Sequence, residues 1–217
     1  MTSVAVIVPW RDIGDPMRQR NWARVRSLWE TDHPDYRLIV TDVGGEPFSR
    51  GASINDGVRR AGKPDVLVVA DADVITVPGQ VRDAVAAATE APGMVQPFSR
   101  YIPLDAHTTG VALDDGGIPW RYADYPVATW ICVSACTVMT SQSFVRAGGF
   151  DERFKGWGYE DSAFDLMMAC KVGLRRNIEG PAWHLAHPGA ISDPADPQHQ
   201  ANLNLWLQYQ LDYTYPS

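Results

Sequence analysis

Val66-Leu67-Val68-Val69-Ala70-Asp71-Ala72-Asp73 passes from five aliphatic residues straight into two carboxylates one residue apart. An unbroken apolar run of this length is the pattern of a strand buried on both faces. Its abrupt polar end suits a strand that reaches the edge of a sheet and opens into a site, because open parallel sheets place ligands at strand C-termini. Hard divalent cations take oxygen ligands of this kind. Asp71 and Asp73 are therefore candidate metal ligands. Against that, Asp is common wherever strands end, and a bare D-x-D is a weak motif. The phosphotransfer pattern D-x-D-x-T fits poorly, since its fifth position here is Ile75.

Outward from this strand the chain reads as alternating elements. Val4 to Val8 is a short apolar run stopped by Pro9, which suits a central parallel strand. From Arg18 to Thr31, Trp22, Val25, Leu28 and Trp29 recur at helical spacing and mark one buried stripe. Tyr36 to Val40 is the next strand, closed by Thr41-Asp42 and Gly44-Gly45, and Ser53 to Ala61 reads as a short helix. The first 73 residues are thus β-α-β-α-β, the order of a parallel α/β sheet with right-handed crossovers. Downstream, the spacing predicts helices over Gln80–Ala91, Gln142–Ala147, Tyr159–Val172 and Gln198–Tyr213. Strands are expected over Met94–Phe98, in or across Thr129–Thr140, and near Leu174–Ile178. Residues 99–126 contain Asp114-Asp115-Gly116-Gly117, several prolines and no sustained periodicity. A loop this long is usually functional or mobile, and a lid over a bound ligand is the expectation.

Composition narrows the function classes. With 217 residues and 45% hydrophobic content, the chain is long enough for one substantial core. The formal charge of −7 has both signs interspersed and gives no basic face for bulk nucleic acid. Cys132, Cys136 and Cys170 lack paired C-x-x-C spacing and read as buried thiols of a reducing compartment. The opening residues have no basic region before a short apolar run, and no stretch approaches the ~20 apolar residues of a membrane helix. A cytoplasmic location is the expectation.

Three further groups of residues invite chemistry. His184 and His187 stand three apart in an apolar and aromatic setting, and imidazole joins carboxylate around transition metals. Mixed Asp and His ligation favours Mn²⁺ over an all-oxygen cage. His33, His107 and His199 read as ordinary structural or surface histidines. Glu160 and Asp161 open a helix, where acidic residues already complement the helix dipole. They also follow Gly156-Trp157-Gly158, which sets an aromatic ring beside carboxylates as a sugar site does. Arg11, Asp42 and Arg50 lie in or near loops that share the sheet edge of Asp71, where Arg can grip a diphosphate bidentately.

Taken in order, five segments carry a family resemblance. They are P-W-R at Pro9 to Arg11, F-S-R-G-A-S-I-N-D-G at Phe48 to Gly57, A-D-A-D at Ala70 to Asp73, G-G-F-D-E-R-F-K-G-W-G-Y-E-D at Gly148 to Asp161, and H-L-A-H at His184 to His187. The chain resembles GT-A fold glycosyltransferases, nearest the β-1,4-galactosyltransferase-like and chondroitin-polymerase-like group. The resemblance implies an α/β, Rossmann-like mixed and mainly parallel sheet flanked by helices. It implies a single domain over 1–217: a nucleotide-sugar half over 1–98, a flexible loop over 99–128, an acceptor and catalytic half over 129–190, and a C-terminal helix and tail over 191–217.

Residue by residue, the resemblance implies that Pro9, Arg11, Phe48, Arg50 and Asn55 hold the nucleotide diphosphate, with Asp42 near the uracil. Asp71 and Ala72 would face the ribose or donor sugar. Asp73 would be the carboxylate ligand of Mn²⁺, or of Mg²⁺ in its place. His187 matches the family's metal histidine, and His184 occupies a position held by Met or His. Trp157, Gly158 and Glu160 would contact sugar and Asp161 would be the catalytic base. Two departures stand out: the family's G-W-G-G-E-D-D becomes G-W-G-Y-E-D-S, with Tyr159 for a glycine and Ser162 for a carboxylate. The acceptor is left open among saccharide, protein side chain, small molecule and modified nucleobase. The implied activity is inverting transfer from a UDP-sugar to a hydroxyl. The alternatives are a retaining transferase, a non-catalytic binder of nucleotide sugars or glycans, and a nucleotidyltransferase. The last would usually bring a Gly-rich loop where Trp10-Arg11-Asp12 stands.

Overall fold

The computed structural model describes residues 2–114, 124–128, 132–188 and 195–216. β1 (Val4–Pro9), β2 (Arg37–Thr41) and β3 (Val66–Ala70) are mutually parallel, with β1 between the other two. Their crossovers are α1 (Pro16–Asp32) and α2 (Arg50–Ala61). Every residue of β3 is buried, as its uninterrupted aliphatic sequence requires. α1 starts where Asp15 caps the amide of Arg18 at 2.8 Å and Pro16 takes the first turn, and it buries Trp22, Val25 and Trp29. α2 begins at Arg50, three residues before its apolar pattern does, because the Ser49 hydroxyl caps the first turn. It also approaches β1 closely: a Cβ on Gly57 would stand 2.4 Å from Cγ2 of Ile7.

Beyond β3 come β4 (Val74–Thr76), α3 (Pro78–Glu90), β5 (Val95–Gln96), β6 (Arg100–Pro103) and α4 (Ala106–Asp114). They are followed by β7 (Cys136–Thr140), α5 (Ser141–Ala147), α6 (Glu160–Lys171), β8 (Arg176–Asn177), β9 (Pro181–His184) and α7 (Pro197–Asp212). The main sheet runs β2-β1-β3-β7-β5-β8, in which β7 alone opposes the common direction. Alternate residues feed two cores. Val4, Val6, Val66 and Val68 pack with Trp22, Trp29 and Trp183, while Ala5, Ile7, Leu67 and Val69 pack with Ile54, Phe144, Phe150 and Phe164.

Three expectations need correction. The loop expected over 99–128 holds β6 and α4 in its first part; residues 115–123 lie outside the described residues. β6 is a strand because it pairs with β9 in parallel, and α4 buries Thr108, Thr109 and Ala112 without a long apolar stripe. The strand expected in Thr129–Thr140 is confined to Cys136–Thr140, with 129–131 outside the described residues, and that over Met94–Phe98 is only two residues long. A second sheet, β4-β9-β6, was not expected at all. It matters for the site, because β4 continues directly from Asp73 and pairs Val74 with His184. All three cysteines are free, and Cys136 is buried while Cys132 and Cys170 are partly so.

Candidate functional site

The C-terminal ends of β1, β2 and β3 meet at one edge of the sheet, and the candidate residues collect there. Asp73 leaves β3 and is faced by β9 and the turn after it. Its Oδ2 is 3.1 Å from Nε2 of His187 and its Oδ1 is 3.7 Å from Nε2 of His184. One ligand atom from each of these three residues lies within 4.8 Å of the others, the one such group among the described residues. The imidazoles meet edge to face with centroids 5.1 Å apart. Burial opposes the charge on Asp73, yet the hydrogen bond with His187 and the positive charge of the neighbouring imidazoles and Arg18 hold its carboxyl below the usual range. Burial pushes His184 down, toward the neutral imidazole that ligates metals. His187 is raised, chiefly by its bond to Asp73. A carboxylate with two imidazoles in this space fits Mn²⁺ better than an all-oxygen ion.

Asp71 belongs to a second cluster. Its Oδ1 accepts from Nε and Nη2 of Arg50 at 3.1 and 2.7 Å. The same guanidinium donates through Nη1 to Oδ1 of Asp161 and lies 3.8 Å from Oε1 of Glu160. Arg50, only 15% exposed at its side chain, thus ties the end of β3 to the first turn of α6. Burial works against its charge, but the carboxylates of Asp161, Asp71 and Glu160 outweigh that and raise its pKa further. For the carboxylates the balance goes the other way. Burial pushes Asp71 up to about 6 despite Arg50, with Asp73 and Asp161 adding to the rise. Glu160 goes up to about 8 through burial and then the charge of Asp161. The shift is in the direction that favours the neutral acid.

Arg11 and Asp42, on the loops after β1 and β2, form a bidentate pair at 2.7 and 2.6 Å. The Arg11 guanidinium also reaches Glu46 at 3.0 Å and lies 5.0 Å above the ring of Phe48. Its hydrogen bond holds the Asp42 carboxyl below the usual range. Pro9 ends β1, and Ala72 is buried between the two aspartates. Asn55 behaves differently from what a diphosphate contact requires. Its amide donates to Phe150 O at 2.8 Å and to Glu152 at 2.9 Å, and its Oδ1 accepts from Phe150 N at 3.0 Å. Both amide donors are thus used in fastening α2 to Phe150 and Glu152.

The aromatic segment before α6 is joined to this edge through the backbone. Ser49 bridges Gly156, and Gly156 N donates to Phe48 O at 2.9 Å. Trp157 is 58% exposed, Gly158 follows it with φ of 109°, and Tyr159 takes the left-handed conformation with φ of 72°. Three neighbours escaped the sequence, and a fourth, His199, read there as an ordinary histidine. Arg18 lies 3.3 Å from Nδ1 of His187, and the Tyr101 ring is 5.8 Å from that of His184. His199 stacks on Trp157 at 5.8 Å, and Asn202 bonds to the backbone on either side of Gly156. Arg18 and Tyr101 carry no local motif, and His199 and Asn202 sit in a polar helix far along the chain, so no spacing pointed to them.

Residues 118–178 match the family model described as the N-terminal domain of galactosyltransferase, a span that includes Trp157, Glu160 and Asp161. Among solved structures, the catalytic domain of Drosophila β1,4-galactosyltransferase 7 in complex with xylobiose superposes with a TM-score of 0.62 at 14% identity, covering 94% of this chain and 80% of that one. A mutant of the same enzyme with manganese, UDP-Gal and xylobiose gives 0.61 at 14% identity, over 93% and 79%. Glucosyl-3-phosphoglycerate synthase from Mycobacterium tuberculosis, with Mn²⁺, UDP-glucose and phosphoglyceric acid, gives 0.55 at 14% identity, over 100% and 81%. No curated protein sequence matches the chain. The fold is that of the GT-A glycosyltransferases, as the sequence motifs imply. None of the described helices is long and apolar enough to cross a membrane.

Proposed function

We propose that this chain is a metal-dependent glycosyltransferase that moves a sugar from a UDP-sugar to an acceptor hydroxyl with inversion, using Asp161 as the base. The observation that carries the proposal is the pairing of two clusters at one sheet edge. Asp73, His184 and His187 gather within 4.8 Å, and Arg50 links the adjacent Asp71 to Asp161. The structural relatives named above include complexes with Mn²⁺ and UDP-sugars, which supports the same donor class here.

Asp73, His187 and His184 would hold Mn²⁺, which when bound would supply Lewis-acid neutralisation of charge on the departing diphosphate. Arg11 stacks on Phe48, and with Arg50 it offers planar donors to the phosphates, while Asp42 and Asp71 accept from base, ribose or sugar hydroxyls. Trp157 presents a flat face to a sugar ring. Asp161 takes the acceptor proton as that oxygen forms its bond to the anomeric carbon, and the bond to the diphosphate oxygen breaks with its electron pair leaving on UDP. Without a ligand Asp161 is bound to Arg50, so the guanidinium must turn to the phosphates before the carboxylate can act.

The test is a panel of UDP-sugars and saccharide acceptors with Mn²⁺, product anomericity being assigned by NMR. Inverted product supports the assignment, and a retained configuration would sink it. Asp161→Asn should lower kcat by about 10²- to 10⁴-fold while UDP and Mn²⁺ still protect against thermal unfolding. A non-catalytic binder would show protection and no turnover in either protein.

A further inference from the structure

α7 is held to the body of the protein in an unusual way. Of its sixteen residues, from Pro197 to Asp212, the one that is buried is an asparagine, Asn202, at 1% exposure. A surface helix ordinarily docks through an apolar stripe. Here Leu207 and Leu211 remain exposed, and α7 is fastened by Asn202 at one end and, further along, by Tyr209, whose hydroxyl donates to Asp151 at 2.9 Å and whose ring lies 6.1 Å from that of Phe154. Asn202 Nδ2 donates to Lys155 O at 2.7 Å and to Trp157 O at 3.1 Å, and its Oδ1 accepts from Lys155 N at 3.3 Å and from Gln198 Nε2 at 3.2 Å. Three of its four bonds therefore go to the backbone of Lys155 and Trp157, in the segment that leads into Glu160 and Asp161.

One turn earlier, His199 lies nearly parallel to Trp157, with centroids 5.8 Å apart and 14° between planes. Its other neighbour is Tyr159, at 5.5 Å. Among the described residues the buried Nδ1 atom of His199 has no hydrogen-bond partner, so that edge of the ring makes no polar contact with them. Tyr159 is held in a left-handed backbone conformation that a glycine would adopt freely, with φ of 72°. Trp157 keeps 58% of its surface exposed while His199 stacks on it. The result is a backed aromatic surface in the segment that leads into Glu160 and Asp161.

We infer that Asn202 and His199 are positioning residues for the acceptor: α7 is a strut that fixes the backbone at 155–157 and braces Trp157 and Tyr159 against the incoming sugar. The inference rests on the glycosyltransferase reading and adds to it an element that comes from outside the matched family span. Neither residue bears on the phosphates or on Asp73, so the effect is confined to the acceptor side. His199 acts through its ring face, which a phenyl group reproduces.

The experiment uses the full chain with Asn202→Leu, His199→Ala and His199→Phe. Donor-side integrity is read as the thermal shift given by UDP with MnCl2 and as hydrolysis of UDP-galactose or UDP-glucose in water. The acceptor side is read as KM for nitrophenyl glycosides, and loop order as amide hydrogen exchange across 154–160. His199→Ala should raise acceptor KM about tenfold while donor-side values stay within about twofold, and His199→Phe should restore KM to within about threefold. Asn202→Leu should speed exchange at 155–159 by about tenfold or more. Donor and acceptor parameters falling together, no rescue by His199→Phe, or unchanged exchange would each overturn the inference. A wild type that transfers to no acceptor would sink the glycosyltransferase reading alone, and the exchange data would still decide whether α7 orders the loop.

Discussion

The carboxylates at this sheet edge fall into groups with different partners, Asp71, Asp161 and Glu160 gathering on Arg50 and Asp73 standing apart, so their substitutions should separate. Asp73 faces two imidazoles, and Asp73→Ala should remove Mn²⁺-dependent protection by UDP while leaving the fold intact; persistence of that protection in a melting assay would contradict its role as metal ligand. Glu160 gives a pH signature instead. Its carboxyl is raised from 4.5 to about 8, mainly by burial and then by Asp161. Between those values the folded chain binds more protons than the unfolded one, so the stability Glu160 contributes is complete below pH 4.5 and is lost as pH rises through about 8. Glu160→Gln should flatten that decline in ligand-free protein, which thermal melts between pH 5 and about 8.5 would reveal. A slope identical to wild type would show that Glu160 is ionised in the fold at neutrality. His33 works in the opposite sense. Burial, then the charge of Arg82, lowers it to about 4, so it favours the fold at pH above 6.5 and weakens it as acid approaches 4.

Glycines show how helices are fitted to their surroundings. Gly57 of α2 faces β1, where an added Cβ would meet Ile7 Cγ2 at 2.4 Å, whereas a Cβ on Gly110 of α4 would meet none of the described residues within 4 Å. Gly57→Ala should therefore destabilise by about 1–3 kcal/mol through overpacking. Gly110→Ala should stabilise by about 1 kcal/mol, as expected for a helix interior. Urea unfolding of both variants checks the pair, and a stabilising Gly57→Ala would mean that α2 can move off the sheet. The same residues explain what the sequence could not reveal. Thr108, Thr109, Gly110 and Val111 are poor helix formers, so α4 gave no helical signal, and tertiary burial of the threonines makes it a helix. β6 mixes arginine and proline and is defined only by β9, about eighty residues later; β4 is three residues hidden behind Asp73. By contrast β1, α1, β2 and β3 were readable within about two residues, because period and burial agree there. Asp73 with His184 and His187 was legible as D-x-D and H-x-x-H. The Arg50 bridge and the α7 contacts were not, since ion pairs and stacking between distant segments leave no spacing to read.

At the level of the whole chain, the parallel strands that carry Asp71 and the helix that carries Asp161 meet through one guanidinium. Arg50 is 15% exposed at its side chain, and Asp71, Asp161 and Glu160 all lie within 3.8 Å of it. Two consequences follow from its having more anions than it can neutralise. Removing it leaves carboxylates buried without compensation, so Arg50→Met should destabilise ligand-free protein by about 3 kcal/mol or more near neutral pH. The loss should be smaller at pH 5, below the value of about 6 to which the Asp71 carboxyl is raised. The second consequence is an order of events. Under the proposed mechanism a diphosphate would bring fresh negative charge to the guanidinium, and Asp161 would become free to accept a proton when Arg50 turns toward it. Donor and metal should therefore bind first, and acceptor affinity measured calorimetrically should be weak without UDP and Mn²⁺ and strengthen when both are present. By linkage, acceptor must then tighten UDP binding by the same factor. Arg50→Met should erase that coupling even where some acceptor binding remains, because Asp161 is no longer restrained. Equal acceptor affinity with and without UDP and Mn²⁺ in the wild type would show that the Arg50 contact does not gate the base.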